Sequence, residues 1–424
     1  MIKVKNIAQK LMGLMRPISP ISPMRLMSLM SPIWLLGPIC LFLACSSGND
    51  DDLMPETPVE SAEKAGVPVG VMGLAPEFEE MMPISKVKGV HRAPEAMTRA
   101  WQPPVGYELM DNSENVIGVS FTENSADPIN GHLFKSGIDW RANVTLEEKT
   151  YYLYGYVPHL TGINYSVLAN GIFSSGAIMT LTNVPAIMPS DFCVIIGAKN
   201  GREDYRANED YTVADLRRGK FDYAAKKIDE DGGEGNFIYL LFDHLYAGMS
   251  FHMRVHGDYD AVRTIKLKNI ELQASDDTEP KKDKTTVVVT LAAKDDGTSP
   301  ITGVTFTPTG DNTIKSSIFK STAGHTLTTG YQNFPGYFMP KGVTKVILTC
   351  TYDVYDKNVT PEHPDGNLVR QDCKATNTLV LANLFDRFDE MRAGIRYNVF
   401  LTIHPSYLYV MSDPDLKDPE MVVD

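Results

Sequence analysis

Ala247-Gly248-Met249-Ser250-Phe251-His252-Met253-Arg254-Val255 places a bulky apolar side chain on nearly every second residue. Ala247, Met249, Phe251, Met253 and Val255 face one way. Ser250, His252, Arg254 and, one step further, His256 face the other. A period of two belongs to a pleated strand with one face in a core. The same alternation recurs in Ile117, Val119 and Phe121, in Val346, Leu348, Cys350, Tyr352 and Val354, and in Tyr397, Val399, Leu401 and Ile403. Residues 151–157 and 285–291 are rich in aromatic or β-branched side chains and read as strands too. Within 263–272, Ile265 and Leu267 share a phase that Ile270 and Leu272 miss by one residue, which predicts a β-bulge near Asn269.

Helical signals are few. Residues 212–218 follow an Asn-Glu-Asp cluster able to cap one short turn, and residues 376–392 read as strand or helix. Many short strands with Gly- and Pro-containing turns predict an all-β fold of antiparallel β-sandwiches.

Near the start, Leu41-Phe42-Leu43-Ala44-Cys45 closes an apolar stretch and precedes a polar tail. This is the layout of a lipoprotein signal, cut before Cys45 so that its thiol accepts the lipid. Residues 33–44 are too few to span a bilayer, which takes about 20. The signal is therefore assigned to 1–44. Met24, Met27 and Met30 are candidate starts, and a start at Met24 would leave 1–23 outside the translated chain. Residues 45–82 begin Cys-Ser-Ser-Gly-Asn-Asp-Asp-Asp and read as an acidic flexible tether with little to bury. An acidic run directly after a lipidated cysteine resembles a surface-export signal of Gram-negative lipoproteins. A solvated periplasmic spacer is the alternative.

The remainder is long enough for two domains, and 43% hydrophobic residues can fill their cores. The polar, glycine-rich run 229–236 suggests the division, giving a β-sandwich over 83–232 and a second over 233–424. A net charge of −13 argues against a nucleic-acid partner. Beyond Cys40 and Cys45, Cys193, Cys350 and Cys373 remain. Cys350 lies on an apolar alternation and reads as a buried thiol, with a Cys350–Cys373 bridge left open.

Nucleotide-loop, zinc-protease and serine-hydrolase motifs are absent from the sequence. Ser317-Ile318-Phe319-Lys320 fits Ser-x-x-Lys without its companion motifs. His252 and His256 share a strand face but lie about 13 Å apart, too far for one ion. They and His244 therefore read as solvated strand histidines. Asp413, Asp415 and Asp418 fit a proline turn as well as a calcium loop. No catalytic role, cofactor or metal is expected.

Several strings occur in a set order: Thr98-Arg99-Ala100-Trp101, Val116-Ile117-Gly118-Val119, Tyr152-Leu153-Tyr154-Gly155-Tyr156-Val157-Pro158, Phe242-Asp243-His244-Leu245 and Arg392-Ala393-Gly394-Ile395-Arg396-Tyr397-Asn398. From about Met82 onward the chain resembles the fimbrillin family, the type V pilins and their minor subunits. The resemblance implies two transthyretin-like β-sandwich domains in tandem and a lipoprotein precursor anchored in the outer membrane through Cys45. It also implies cleavage by a trypsin-like maturation protease after an arginine. The first strand is then lost, and its groove takes a strand from another fimbrillin subunit.

Mapped onto this sequence, the cleavage residue is Arg99, with Arg92 second. The displaced strand is 83–90, with Ile84, Val87 and Val90. The donor segment is 407–424, where Tyr407, Tyr409 and Met411 alternate before two Asp-Pro breaks and Val422 follows them. The prolines make it an interrupted donor. The expected product is a structural subunit of a cell-surface fimbrium. An anchor or a tip adhesin contacting a host or bacterial surface ligand remains open. So does a glycan-binding surface lipoprotein, although only Trp101 and Trp140 lie outside the signal to build a binding platform.

Overall fold

The computed structural model describes residues 67–75, 77–84, 107–108, 116–136, 139–200, 220–224, 236–276, 281–293, 299–311, 315–386, 388–404 and 420–423. These residues form an almost purely β structure of four sheets. The strands predicted by alternation or by residue type are present: Ile117–Thr122, Thr150–Val157, Ala247–Val255, Lys284–Ala292, Lys345–Asp356 and Ile395–His404. The predicted bulge is there as well. The strand Arg263–Ser275 shifts register between Leu267 and Asn269 against both of its neighbours, which returns Ile270 and Leu272 to the core face. The ambiguous stretch resolves into the strand Leu368–Val380 and a single helical turn, Leu381–Leu384.

The largest sheet runs through Asp139–Ala142, Ile129–Ser136, Ile117–Thr122, Thr150–Val157, Cys193–Asn200 and Phe237–His244. One extended segment joins its two ends. Val67–Pro68 pairs antiparallel with Asp139–Ala142, and Gly70–Ala75 pairs parallel with Phe237–His244. Between them the Val69 amide donates to the Trp140 carbonyl at 3.0 Å and the Gly70 amide to the Asn236 carbonyl at 2.7 Å. The sheet thus closes on itself around Val69, Val71, Ile117, Val119, Phe121, Leu133, Leu153, Leu240 and Phe242.

Alternate residues of the same strands point outward. Tyr154, Tyr156, Val194, Tyr239 and Leu241 pack on a four-stranded sheet of Ile301–Thr309, Lys284–Ala292, Gly176–Pro185 and Asn164–Ala169. Burial on both faces explains why Phe237–His244 is apolar almost throughout instead of alternating. Close approach fixes one position: a Cβ at Gly155 would lie 2.1 Å from the carbonyl oxygen of Gly118 on the neighbouring strand.

A second pair of sheets shares another core. One holds Ile187–Met188, Gln332–Phe338, Ala247–Val255, Ile395–His404 and Glu420–Val423. The other holds Ser316–Thr326, Arg263–Ser275, Lys345–Asp356 and Leu368–Val380. Cys350 and Cys373 lie on adjacent strands two residues out of register, and both are buried thiols not joined in a disulfide.

The sheets divide the chain differently from a boundary at 232/233. Phe237–His244 belongs to the closed sheet, and residues 284–309 leave the second pair of sheets to complete the first. The strand that ends at Ser275 lies in the second pair of sheets, and the one that begins at Lys284 lies in the first. Residues 67–75 and 79–81 are strands, although their place in an acidic, Gly- and Pro-rich region predicted a flexible tether. Val69 and Val71 supply the core contacts that the composition around them conceals.

Candidate assembly site

The strand Ile395–His404 has Ala247–Val255 along one edge, paired in parallel from Gly248 with Arg396 to Val255 with Ile403. Its other edge carries two short pieces from opposite ends of the sequence. Glu79–Met81 pairs in parallel with Ile395, Arg396 and Tyr397. Glu420–Val423 pairs antiparallel with Leu401, Thr402, Ile403 and His404. The two pieces sit end to end and leave 398–400 between them.

Side chains hold each piece in place. Asn398, 5% exposed, donates through Nδ2 to Glu80 Oε2 at 2.7 Å and to the Met81 carbonyl at 3.3 Å. Its Oδ1 meets His252 Nε2 at 2.7 Å. Arg396 reaches Glu80 Oε1 at 3.3 Å with its guanidinium 4.5 Å from the ring of Phe78. Both charged partners keep solvent contact, so the ion pair adds no more than about 1 kcal/mol. The Glu79 amide donates to the Gly394 carbonyl at 3.0 Å. At the opposite piece Met421 is buried, with its sulfur 3.8 Å from Cys350 Sγ and its carbonyl accepting from Asn377 Nδ2 at 2.7 Å.

Beneath these pieces, Tyr397 is buried beside Phe385 and Phe388, and its hydroxyl accepts from the Arg392 amide at 3.2 Å. Burial holds its phenol up at about 12, so it stays neutral. The N-terminal segment 67–81 therefore contributes to both pairs of sheets. It supplies a closing strand and two interior valines to one, and an edge strand to the other. Burying a valine side chain contributes about 1.5–3 kcal/mol, so Val69 and Val71 anchor the segment more firmly than its surface ion pair does.

Of the lipidation, cleavage, displaced-strand and donor residues singled out by sequence, two lie among those described. Ile84 follows the edge piece and is 49% exposed, and Val422 sits in Glu420–Val423 with its side chain 42% exposed. Cys45, Arg92, Arg99, Val87, Val90, Tyr407, Tyr409 and Met411 lie outside the described residues, as do residues 212–218 and Asp413, Asp415 and Asp418. His252 and His256 are partly exposed, and their rings stack on Phe400 and His404. His244 departs from its expected solvated place. It is 3% exposed because its strand is buried on both faces. Phe78, Glu80 and Asn398 escaped the sequence reading. The Val67-x-Val69-x-Val71 alternation was the available signal for the segment that carries the first two.

No family profile and no curated protein matches the chain. Among solved structures it is similar to a candidate cell adhesion protein from Bacteroides fragilis, at 10% identity over 84% of this chain and 97% of that one, with a TM-score of 0.34. A fimbrial protein from Bacteroides vulgatus is similar at 12% identity over 74% and 92%, with a TM-score of 0.28. The fimbrial anchor protein Mfa2 from Porphyromonas gingivalis is similar at 12% identity over 83% and 95%, with a TM-score of 0.18.

Proposed function

We propose that the chain is a structural subunit of a cell-surface fimbrium. It is exported as a lipoprotein acylated at Cys45, matured by cleavage after Arg99 or Arg92, and joined to other subunits by strand exchange. It has no catalytic task. The observation that carries this reading is the placement of Val67–Pro68, Gly70–Ala75 and Glu79–Met81. All three lie N-terminal to both arginines, so either cut would disconnect them from the rest of the chain.

Loss of that segment would leave Asp139–Ala142, Phe237–His244 and Ile395–His404 each lacking a ladder partner. An incoming extended strand would refill the ladders through main-chain hydrogen bonds and offer apolar side chains to the sites of Val69 and Val71. The displaced element in this reading is residues 67–81, extended through 83–90 to the cleavage site. While covalently attached, the segment has an effective concentration of about millimolar or above, so a donor competes only after cleavage.

The donor is residues 407–424. Its last strand, Glu420–Val423, is seated on its own sheet with Met421 buried. That seating favours a second reading within the same class, an anchor or tip subunit whose C-terminal segment stays at home. An anchor would also keep residues 67–81 and its lipid.

Limited trypsin treatment of the chain, followed by N-terminal sequencing and electrophoresis without boiling, separates these roles. A stalk subunit yields a start at Ala100 and a ladder, and Arg99→Ala removes both. A deletion of 407–424 that still folds, judged by circular dichroism, should add no more than one subunit. Absence of a ladder under every cleavage condition assigns the anchor or tip role. Incorporation of labelled palmitate that survives Cys45→Ala would overturn the lipoprotein assignment.

A further inference from the structure

Asp191, Cys193 and His244 meet at the end of the closed sheet. Cys193 opens the strand Cys193–Asn200 and lies directly opposite His244, the last residue of Phe237–His244. Asp191 approaches from the turn before Cys193. Its Oδ2 lies 2.6 Å from His244 Nδ1 and 3.1 Å from Cys193 Sγ, and Sγ lies 3.5 Å from Nδ1. The Cys193 and His244 side chains are almost completely buried, and that of Asp191 is 10% exposed. The second carboxylate oxygen, Oδ1, is buried without a hydrogen-bond partner. Phe78 covers the group, its ring centroid 4.0 Å from that of His244.

We propose that Asp191, Cys193 and His244 form a binding site for a zinc-like divalent cation, a role separate from subunit assembly. A thiolate, an imidazole and a carboxylate supply the borderline S, N and O donors that zinc takes and that magnesium and calcium do not favour. Tetrahedral zinc at about 2.3 Å from sulfur and about 2.0–2.2 Å from nitrogen and oxygen has ligand edges of roughly 3.4–3.6 Å. The Sγ–Nδ1 edge already has that length. A swing of Asp191 on the order of 1 Å opens the other two to the same range. The unpartnered Oδ1 then completes the carboxylate's coordination or orients a water in the fourth position.

Charge supports the assignment. One thiolate and one carboxylate neutralise a divalent ion, which suits a site closed to water, whereas the carboxylate alone is a buried charge. On binding, the Cys193 S–H bond breaks, its proton leaves to solvent, and the sulfur electron pair forms the bond to the metal. The ion would tie two neighbouring strands together where only Leu245 and Tyr246 separate the closed sheet from Ala247–Val255. It would also fix the imidazole against which Phe78 of the N-terminal segment rests.

The test titrates the metal-stripped full chain with Co²⁺ and then displaces it with Zn²⁺. The expected result is one cobalt per chain with a thiolate-to-cobalt charge-transfer band, bleached by one equivalent of zinc, and a thermal midpoint that rises with zinc. Cys193→Ser should lose both the band and the zinc-dependent shift, while Cys350→Ala and Cys373→Ala should keep them. His244→Gln provides a second variant if Cys193→Ser does not fold. Absence of the band and of a midpoint shift in the unsubstituted chain would overturn the proposal and leave a hydrogen-bonded triad. Persistence of the band in Cys193→Ser would equally overturn it by placing the metal elsewhere.

Discussion

Phe78 rests against His244, with 4.0 Å between ring centroids and 31° between planes, while Arg396 presses on the Phe78 ring from the neighbouring sheet. A single residue of the N-terminal segment thereby contacts the last residue of the closed sheet and the strand Ile395–His404 of the other sheet pair. Phe78→Ala should cost about 1–2 kcal/mol, from the aromatic and cation–π contacts together. Urea denaturation measures that loss. The variant's segment should also be cut by protease sooner than the rest of the chain. Unchanged resistance would mean that Phe78 does not hold the segment down.

Val69 and Val71 face the interior of the closed sheet, whereas Val422 is exposed. An aspartate in the interior is an unpaired buried charge, which a protein avoids at a cost of several kcal/mol. Val69→Asp or Val71→Asp should therefore unseat residues 67–75. Amide exchange along Phe237–His244 should rise, because its ladder with Gly70–Ala75 opens. Val422→Asp should stay within about 0.5 kcal/mol of the parent. Equal effects from all three would contradict the closure of the sheet by this segment.

Gly155 and Gly303 make a contrasting pair. A methyl group at 155 would meet the Gly118 carbonyl oxygen at 2.1 Å, a backbone atom that cannot rotate away, whereas at 303 the nearest atom is 4.0 Å away. Gly155→Ala should lower stability by about 1–3 kcal/mol through overpacking. Gly303→Ala should change it by no more than about 0.5 kcal/mol. Chemical denaturation of both variants decides the matter.

His159 contributes a pH dependence of known sign. Burial, and then the neighbouring His132 with which it stacks, lower its pKa from the ordinary 6.5. A histidine depressed in the folded state takes up its proton more readily when unfolded. Its contribution is therefore complete above pH 6.5 and is lost as pH falls from there through the folded value. His159→Gln should flatten stability across that acid window and leave it unchanged in slope at neutral pH. A thermal-midpoint profile across the window tests this, and a slope retained in the variant would assign it to other groups.

The fold was legible where a strand has one wet face. Ala247–Val255 and Lys345–Asp356 declare themselves by alternation, and even the bulge at Asn269 showed as a phase slip. Phe237–His244 is packed on both sides, so it carries no alternation, and His244 at its end looked like a residue facing water. The assembly site was less legible for a different reason. Its strands are two to six residues long, drawn from the two ends of the chain, and surrounded by Gly, Pro and acidic residues that argue for a tether. Their strand character comes from partners far away in sequence, such as Phe237 for Gly70 and Arg396 for Glu80. The same holds for Asp191, Cys193 and His244, whose meeting depends on strand register and not on any spacing motif.

The link from Glu80 to Arg396 spans 316 positions, and that separation bears on the order of events as the protein acquires its structure. Long-range pairings must wait until the chain between them has been ordered, since closing so large a loop early gains no compensating contacts. The segment synthesised among the earliest is then among the last to settle. Until residues 395–397 arrive, Glu79–Met81 has no strand to pair with. Over that interval the nascent protein presents bare hydrogen-bonding edges, and a cell that exports it must shield them or deliver it quickly.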